Sequence, residues 1–596
     1  MGFDPPSILR VIAEYFHPRK WANDLRLSID WLFTYDRADL AGDIIAGLTI
    51  SVMLIPQGMA YALLAGLPPI VGLYASVLPL LVYGLLGSTG IMTLGPTAIT
   101  SVMTLSIIAP LANGNPALML IYAGTLALFL GIVYLIMGFM RLGFIVNLLS
   151  QPVIVGYVNA AAIIIAVSQL ANLLGISIER SSSPHLILWR TLRGLPQTNV
   201  LTLGIGLISI VILLFFKHRL DAHLRRLRLG KTVRFVITRS APLLVTLGGT
   251  LLVYAYRLDE SAGVRVVGAI PQGLPPLTTE FIWSDLQALF IGAVAIAFVG
   301  FMEDISTAKS LTQGRQQALN ANQEMIAMGA SNVASAISGG MPVTTSISRS
   351  AVNVAAGART GLSSMIAAAM LLLTVLFFTP IFYYLPSAVL GAIIFTSVIS
   401  LIKLDDFRQI WHYSQIETFI ALITVGGVFL VNIQWGILFG VGLMIALYLY
   451  RSAQPEITEL ERKDYSEFYV ARSDETIPIP QTLILKINES LYFANAQYLD
   501  QYLRQAISQR EDVRYLILDC SAVNTIDASA VQILEQLIRD FSRLDIRVLI
   551  VGLKGRVYSK IRAGDMRQLI GREYFYSTTH AAVTATGQLL DDQLPI

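Results

Sequence analysis

The sequence predicts a polytopic α-helical membrane protein of fourteen spans, set out as two inverted groups of seven and followed by a small soluble α/β domain. Three observations predict it. Charged residues make up 14% of the 596-residue chain and hydrophobic ones 55%, with mean hydropathy +0.64; soluble domains carry about 25% charged residues. Apolar runs long enough to cross a bilayer core recur up to about Arg451. Two polar, proline-interrupted stretches sit inside this apolar region at matching places in its two halves.

Residues 1–40 are mixed and read as a cytoplasmic lead-in. Pro5, Pro6, Arg10 and the His17–Arg19 run do not form the basic start and short apolar core of a signal peptide. The spans are 44–64, 70–87, 97–111, 118–139, 152–175, 200–216, 240–256, 284–303, 322–338, 344–356, 362–383, 386–402, 416–432 and 435–450. The third and tenth are too short to cross alone at about 1.5 Å per residue. Basic residues support the count. The segment 217–239 follows span six, Arg141 span four, Lys309 and Arg315 span eight, Arg359 span ten, and Lys403 and Arg408 span twelve. Lys and Arg thus gather after even spans, which places both chain ends in the cytoplasm. Arg180, Arg190 and Arg193, after span five, are the exception and point to a re-entrant or interfacial segment.

The region is organised around 338–353, SGGMPVTTSISRSAVN, and 94–104, LGPTAITSVMT. Backbone at bilayer depth must satisfy its own hydrogen bonds, so such breaks line a cavity or are packed in protein. Seven spans per half inverts the halves, and each half's third span is a broken one. Paired broken helices in inverted repeats mark a transporter's binding site near the midplane. Helix N-termini there carry unpaired N–H groups and partial positive charge, which favour an anion. The plainer reading takes each proline as the first residue of an ordinary helix.

Span one contributes Gln57, within IPQGMAY, and span eight contributes Glu303, within VGFMEDIS. Intramembrane ionisable groups are functional hypotheses by default. A carboxylate beside an anion site repels the anion when ionised and admits it when protonated, linking proton entry to anion entry. Alternatively, Glu303 and Asp304 sit solvated at the cytoplasmic end of span eight. Arg349 either adds positive field to the pocket or snorkels to the interface.

The run PQGMAYALLAGLPPIVGLYASVLPLLVY (56–83) resembles the signature region of the sulfate permease (SulP) family. So do VGFMEDISTAKS (299–310), NANQEMIAMGASN (320–332) and SRSAVNVAAGART (348–360). The resemblance implies a core domain (spans 1–4 and 8–11), a gate domain (5–7 and 12–14) and a homodimer in the plasma membrane, a bacterial inner membrane. It implies a small inorganic anion held between the third and tenth half-helices. Gln57, Tyr61, Thr97, Ala98, Ser348 and Arg349 match its substrate-binding positions, and Glu303 its proton-coupling acid. One departure is Gly87-Ser88-Thr89-Gly90, where many members have a basic residue. The implied function is proton-coupled sulfate uptake by alternating access. The alternatives are sodium-coupled bicarbonate or dicarboxylate transport, with Asp304, Ser306 and Thr307 offering oxygens, and a passive anion channel.

After Arg451 the composition changes. Residues 454–480 read as a charged linker. Strand patterns at Thr482–Ile487, Tyr515–Leu518 and Arg547–Val551 then alternate with helical ones at Gln497–Ser508 and Ala528–Leu544, an α/β pattern. LDCSAVNTIDASA (518–530) resembles the STAS domain that follows the membrane part in this family. Asp519 and Asp527 match its loop carboxylates and Ser529 its phosphorylated serine; alternatively Asp527 and Ser529 simply cap the next helix. The lone Cys520 excludes an internal disulfide. No phosphate-cradling Gly-rich loop ending in Lys-Ser or Lys-Thr is present, which argues against a transport ATPase. The six scattered His form no metal-spaced cluster, so no metal, resident cofactor, enzymatic activity or nucleic-acid partner is expected.

Overall fold

The computed structural model describes residues 31–591, except 144–149, 177–183, 227–229, 313–318, 400, 432, 463–467, 471–477, 511, 564–570 and 572–573. It divides into two compact units, Met1–Met444 and Ile445–Ile596.

The first unit opens with α1 (Leu40–Leu64) and α2 (Pro69–Leu86). The short strand β1 (Leu94–Gly95) leads into the half-helix α3 (Ala98–Ala112). Next come α4 (Pro116–Phe139), α5 (Gln151–Leu174), α6 (Pro184–Gly194) and α7 (Val200–His218). The basic segment folds as α8 (Leu220–Arg226) and α9 (Lys231–Arg239), before α10 (Ala241–Tyr256). The second half repeats the plan with α11 (Leu286–Thr312), α12 (Ala321–Ile337), β2 (Thr344–Thr345), the half-helix α13 (Ile347–Ala356) and α14 (Leu362–Leu373). It continues through α15 (Ser387–Ile399), α16 (Leu404–Tyr413), α17 (Gln415–Leu430) and α18 (Ile433–Ala453).

Each of the fourteen expected spans contains a helix among the described residues. Among the described residues nine helices are long and apolar enough to cross a membrane by themselves, and α3, α10 and α17 are shorter apolar helices. The starts follow local chemistry. Asn115, Asn199 and Asn320 cap α4, α7 and α12 with side-chain oxygens. The helices fall into two packed sets. One joins α1, α2, α4, α11, α12 and α14; the other joins α5, α7, α10, α15 and α17. These are the core and gate groups.

Small residues let the core helices touch backbone to backbone, the usual device where lipid gives no hydrophobic drive for association. A Cβ on Gly72 would run into the Gly58 carbonyl, and one on Gly361 into the Gly84 carbonyl. Neither obstacle is a flexible side chain. Gly72→Ala is therefore expected to cost at least about 3 kcal/mol, the upper range of overpacking. A lowered melting temperature in detergent, with loss of the monodisperse elution peak, checks this.

Three readings change and one exception is explained. Span eight does not stop at Glu303: α11 continues to Thr312, so Glu303 and Asp304 lie inside a helix and Asp304 is fully buried. The α1 and α11 walls are thus helical throughout. Pro342 is not the counterpart of Pro96. Pro96 follows β1, whereas Pro342 precedes β2, and the equivalent helix caps are Thr97 and Ser346. Span eleven ends in a π turn (Thr374–Phe378) and a 3-10 turn (Thr379–Phe382). Finally, α6 accounts for the basic exception after span five. Leu186, Leu188, Trp189 and Leu192 are exposed on it, and the Arg193 guanidinium stacks 4.6 Å over the Trp189 ring. That is the composition of a segment lying in the membrane interface. Arg180 and Arg315 fall outside the described residues.

The second unit is a six-stranded sheet, order β4-β3-β5-β6-β7-β8, from β3 (Ile457–Arg462), β4 (Phe468–Val470), β5 (Thr482–Ile487), β6 (Tyr515–Asp519), β7 (Arg547–Val551) and β8 (Phe575–Tyr576). β5 to β8 are parallel; β3 and β4 are antiparallel. Part of the expected 454–480 linker is therefore sheet. Along β5, Leu483, Leu485 and Ile487 face α19 (Ala496–Ser508) and α20 (Ala528–Arg543), while Ile484 joins the opposite core with Ala582 of α22 (Thr579–Asp591). α21 (Gly555–Ala563) completes the unit's helices.

Candidate anion site and STAS loop

The two half-helices are brought together by β1 and β2, which pair antiparallel as Leu94↔Thr345 and Gly95↔Thr344. Irregular backbone at this depth is satisfied from within the protein. Ser346 N donates to Thr93 O at 3.2 Å. Thr93 N donates to Ser350 Oγ at 3.0 Å, and Asn353 Nδ2 to Ile91 O at 2.8 Å, so α13 side chains hold the strand of the other half. Asn332 does the same for β2's approach, exchanging two 2.9 Å bonds with Val343.

Each half-helix begins with a hydroxyl cap. Thr97 Oγ1 accepts from Thr100 N, and Ser346 Oγ accepts from Arg349 N. Thr344 Oγ1 bonds to the hydroxyls of Thr97 (3.1 Å) and Thr100 (2.9 Å), linking the two starts. The remaining first-turn amides have no intrahelical acceptor. They belong to Ala98, Ile99, Ile347 and Ser348, and all four residues line one cavity of about 490 Å³. A helix start favours an anion through those amides and the macrodipole.

Gln57 and Tyr61 from α1, Thr97 and Ala98 from the first half-helix, Glu303 from α11 and Ser348 from the second line this cavity. Gln57 is 6% exposed and its Oε1 has no hydrogen-bond partner among the described residues. It is a buried polar atom in a residue of the cavity wall. Glu303 is half-buried in the wall.

Arg349 is the exception among the expected site residues. It does not line the cavity, and it does not snorkel. It is 1% exposed, and its Nη1 donates to Pro96 O at 2.9 Å, across from one half-helix to the approach of the other. Its Nη2 lies under Gly95, where a side chain would crowd it. The guanidinium adds positive field from behind the wall, close to Tyr61 and Glu303.

Sequence reasoning missed the gate side of the cavity. Lys217, Arg239 and Lys403 line it, with Thr396 and Ser397. The three cations were legible only as the basic loops that orient the chain. The loop 87–90, which lacks the family's basic residue, is held instead by Glu324, whose carboxylate accepts from Tyr83 Oη (2.8 Å) and from Ser88 N (3.2 Å) and Oγ (2.8 Å).

In the second unit, Asp527 caps α20. Its Oδ1 accepts from Ala530 N and its Oδ2 from Phe493 N, both at 2.8 Å. Asp519 ends β6, accepting from Ser521 N (2.9 Å) and Thr579 Oγ1 (3.2 Å). Both carboxylates thus shape the loop. Ser529 is exposed in the first turn of α20. Burial, with Asp519 adjacent, pushes the Cys520 thiol up to about 12, so it stays protonated and inert.

The paired half-helices, the cavity they share and the helical scaffold around it define an anion transporter. The chain belongs to the sulfate permease family: the Sulfate permease family model matches residues 40–424, and the STAS domain model matches 475–582. It is 32% identical over 576 residues to the chloroplastic sulfate transporter 4.1 of Arabidopsis thaliana, covering 94% of this chain and 82% of that one. It is also 32% identical over 567 residues to a probable sulfate transporter of Mycobacterium tuberculosis, covering 92% and 96%. The fold matches that of murine solute carrier 26 family member A9, an anion transporter in the inward-facing state. The TM-score is 0.88 at 24% identity, over 97% of this chain and 98% of that one. The transmembrane domain of a cyanobacterium bicarbonate transporter matches with TM-score 0.56 at 24% identity, over 67% of this chain and 98% of that one.

Proposed function

We propose that the protein takes up sulfate with protons by alternating access, as a homodimer in the plasma membrane with both chain ends in the cytoplasm. The observation that carries the reading is the presence of Glu303 in the wall of the cavity onto which both half-helix starts open. Ionised, Glu303 would repel a dianion a few ångströms away; protonated, it would leave the amides, Gln57 and the field of Arg349 to hold it. The sulfate assignment rests on the relatives named above. Rocking of the gate set against the core set would alternate the access of the site.

Purified protein in proteoliposomes tests this, with labelled sulfate, bicarbonate and fumarate and with proton and sodium gradients imposed separately. Sulfate accumulation driven by an inward proton gradient and collapsed by a protonophore is the expected result. Bicarbonate or fumarate uptake driven by sodium would replace the reading, and a current independent of the pH gradient would make the protein a channel.

Ser529 is proposed as a regulatory phosphate acceptor. Its hydroxyl is exposed at a helix N-terminus, where phosphate is electrostatically favoured. Phosphopeptide mass spectrometry of native membranes should find the modification there; its absence across growth conditions removes the idea.

A further inference from the structure

Asp304 follows Glu303 in α11 but has a different environment. Successive helix residues point about 100° apart. Glu303 meets the cavity, while Asp304 is 0% exposed and does not line it. Neither Asp304 carboxylate oxygen has a hydrogen-bond partner among the described residues. Thr345 Oγ1 on β2, fully buried and likewise without a partner, stands next to it.

The groups around it make the position sharper. Glu303 is adjacent on α11, Glu324 faces it from α12, Tyr83 from α2 and Tyr134 from α4. All four are acidic or neutral. The buried cation of the region, Arg349, is turned to Tyr61 and Glu303. Glu324 has three donors of its own from Tyr83 and Ser88. Among the described residues Asp304 has only the Thr345 hydroxyl beside it and no counter-charge. An ionised carboxylate so poorly supported is not sustainable in a dry interior, so the group must be neutral or must hold a cation. A proton needs no further ligands, and Thr345 offers one acceptor within reach of a small side-chain movement.

We propose that Asp304 is a second proton-carrying site, set behind the cavity wall, which holds a proton in this state and releases it to cavity water during the transport cycle. The O–H bond of the Asp304 carboxyl breaks, the proton passes to water beside Glu303, and the carboxyl is reprotonated from the other side when the core and gate exchange positions. The inference rests on the proton-coupled reading above and adds one proton to the one that Glu303 accounts for.

The test compares the full-length parent, Asp304→Asn and Asp304→Glu in proteoliposomes. Asn copies the size of the neutral acid, so folding is retained; Glu restores a proton site if Asn proves unstable. Asp304→Asn is expected to lower the steady-state sulfate accumulation about tenfold per unit of imposed pH gradient, the worth of one coupled proton, with Asp304→Glu close to the parent. Equal accumulation by parent and Asp304→Asn overturns the proposal. So does a sodium dependence that Asp304→Asn abolishes, since the site would then hold a cation. Sulfate-induced infrared difference spectra separate this failure from that of the parent reading. A protonated-carboxyl band perturbed by sulfate in the parent and absent from Asp304→Asn is expected. If that band is present but no proton gradient drives uptake, the coupled reading fails while Asp304 still carries its proton; if it is absent, Asp304 does not.

Discussion

Glu303→Gln is expected to abolish proton-driven sulfate accumulation while sparing sulfate–sulfate exchange within a few-fold. The amide has the shape of the protonated acid and no charge to lose. The cavity would therefore accept the anion at any pH, and the anion could cross in either direction without a proton. Accumulation falls to the equilibrium ratio because anion entry no longer waits on a proton at the cavity wall, so the anion leaks back and the Asp304 proton alone cannot hold a gradient. The pH profile gives the sign. Parental uptake should decline as the outside pH rises, because more Glu303 is ionised and its charge opposes the anion. The variant's exchange should be flat over the same range. Counterflow and net uptake measured on the same vesicles separate the two effects. A variant that concentrates sulfate as well as its parent would remove Glu303 from the coupling step. Asp304 does not rescue it, because that carboxyl lies outside the cavity and cannot gate anion entry by charge.

The helices were legible because crossing a bilayer demands long apolar runs, and lengths and basic flanks can be counted. The two breaks were legible for a related reason: hydroxyls and prolines at bilayer depth need partners. Which partners was not legible. Ser350 and Asn353 bind the backbone of Thr93 and Ile91, more than 250 positions away in sequence, and only the folded chain brings them there. Of the residues expected at the site, those on α1, at the α3 start and on α11 line one cavity, yet one residue of α13 divides the set. Ser348 faces the cavity, whereas Arg349, one position on and rotated about 100°, turns to Pro96. Spacing alone does not fix the rotation of a ten-residue helix. Lys217, Arg239 and Lys403 show the opposite limit. A basic residue near a span end fits the positive-inside rule whether or not it also faces substrate, so the rule hid their second position. In the soluble unit, β3 falls in the expected linker because residues 454–480 are charged and contain prolines, and ITELER carries three charges in six residues. That is how a strand flanked by a short edge strand stays soluble, and it is weak evidence of a strand by itself.

Ala98→Phe is expected to eliminate sulfate binding and uptake, weakening binding at least about a hundredfold, or roughly 2.7 kcal/mol. Ala98 is the first residue of α3, 7% exposed, and lines the cavity beside Thr97 and Ile99. A phenyl group there has no free core space to enter, since β1, Thr344 and Thr100 are bonded together behind it. It must project over the amides of Ala98 and Ile99, which are the groups that make a helix start attractive to an anion. The ring thus removes the binding donors without removing any hydrogen bond of the scaffold. Ala98→Gly, which keeps those amides open, should bind within a few-fold of the parent. Sulfate titration by calorimetry, alongside elution and melting profiles that match the parent, distinguishes blockade from misfolding. If Ala98→Phe binds sulfate normally, the anion does not sit at the α3 start. Glu303 would then face an empty wall, and the charge argument that links proton to anion would lose its second party.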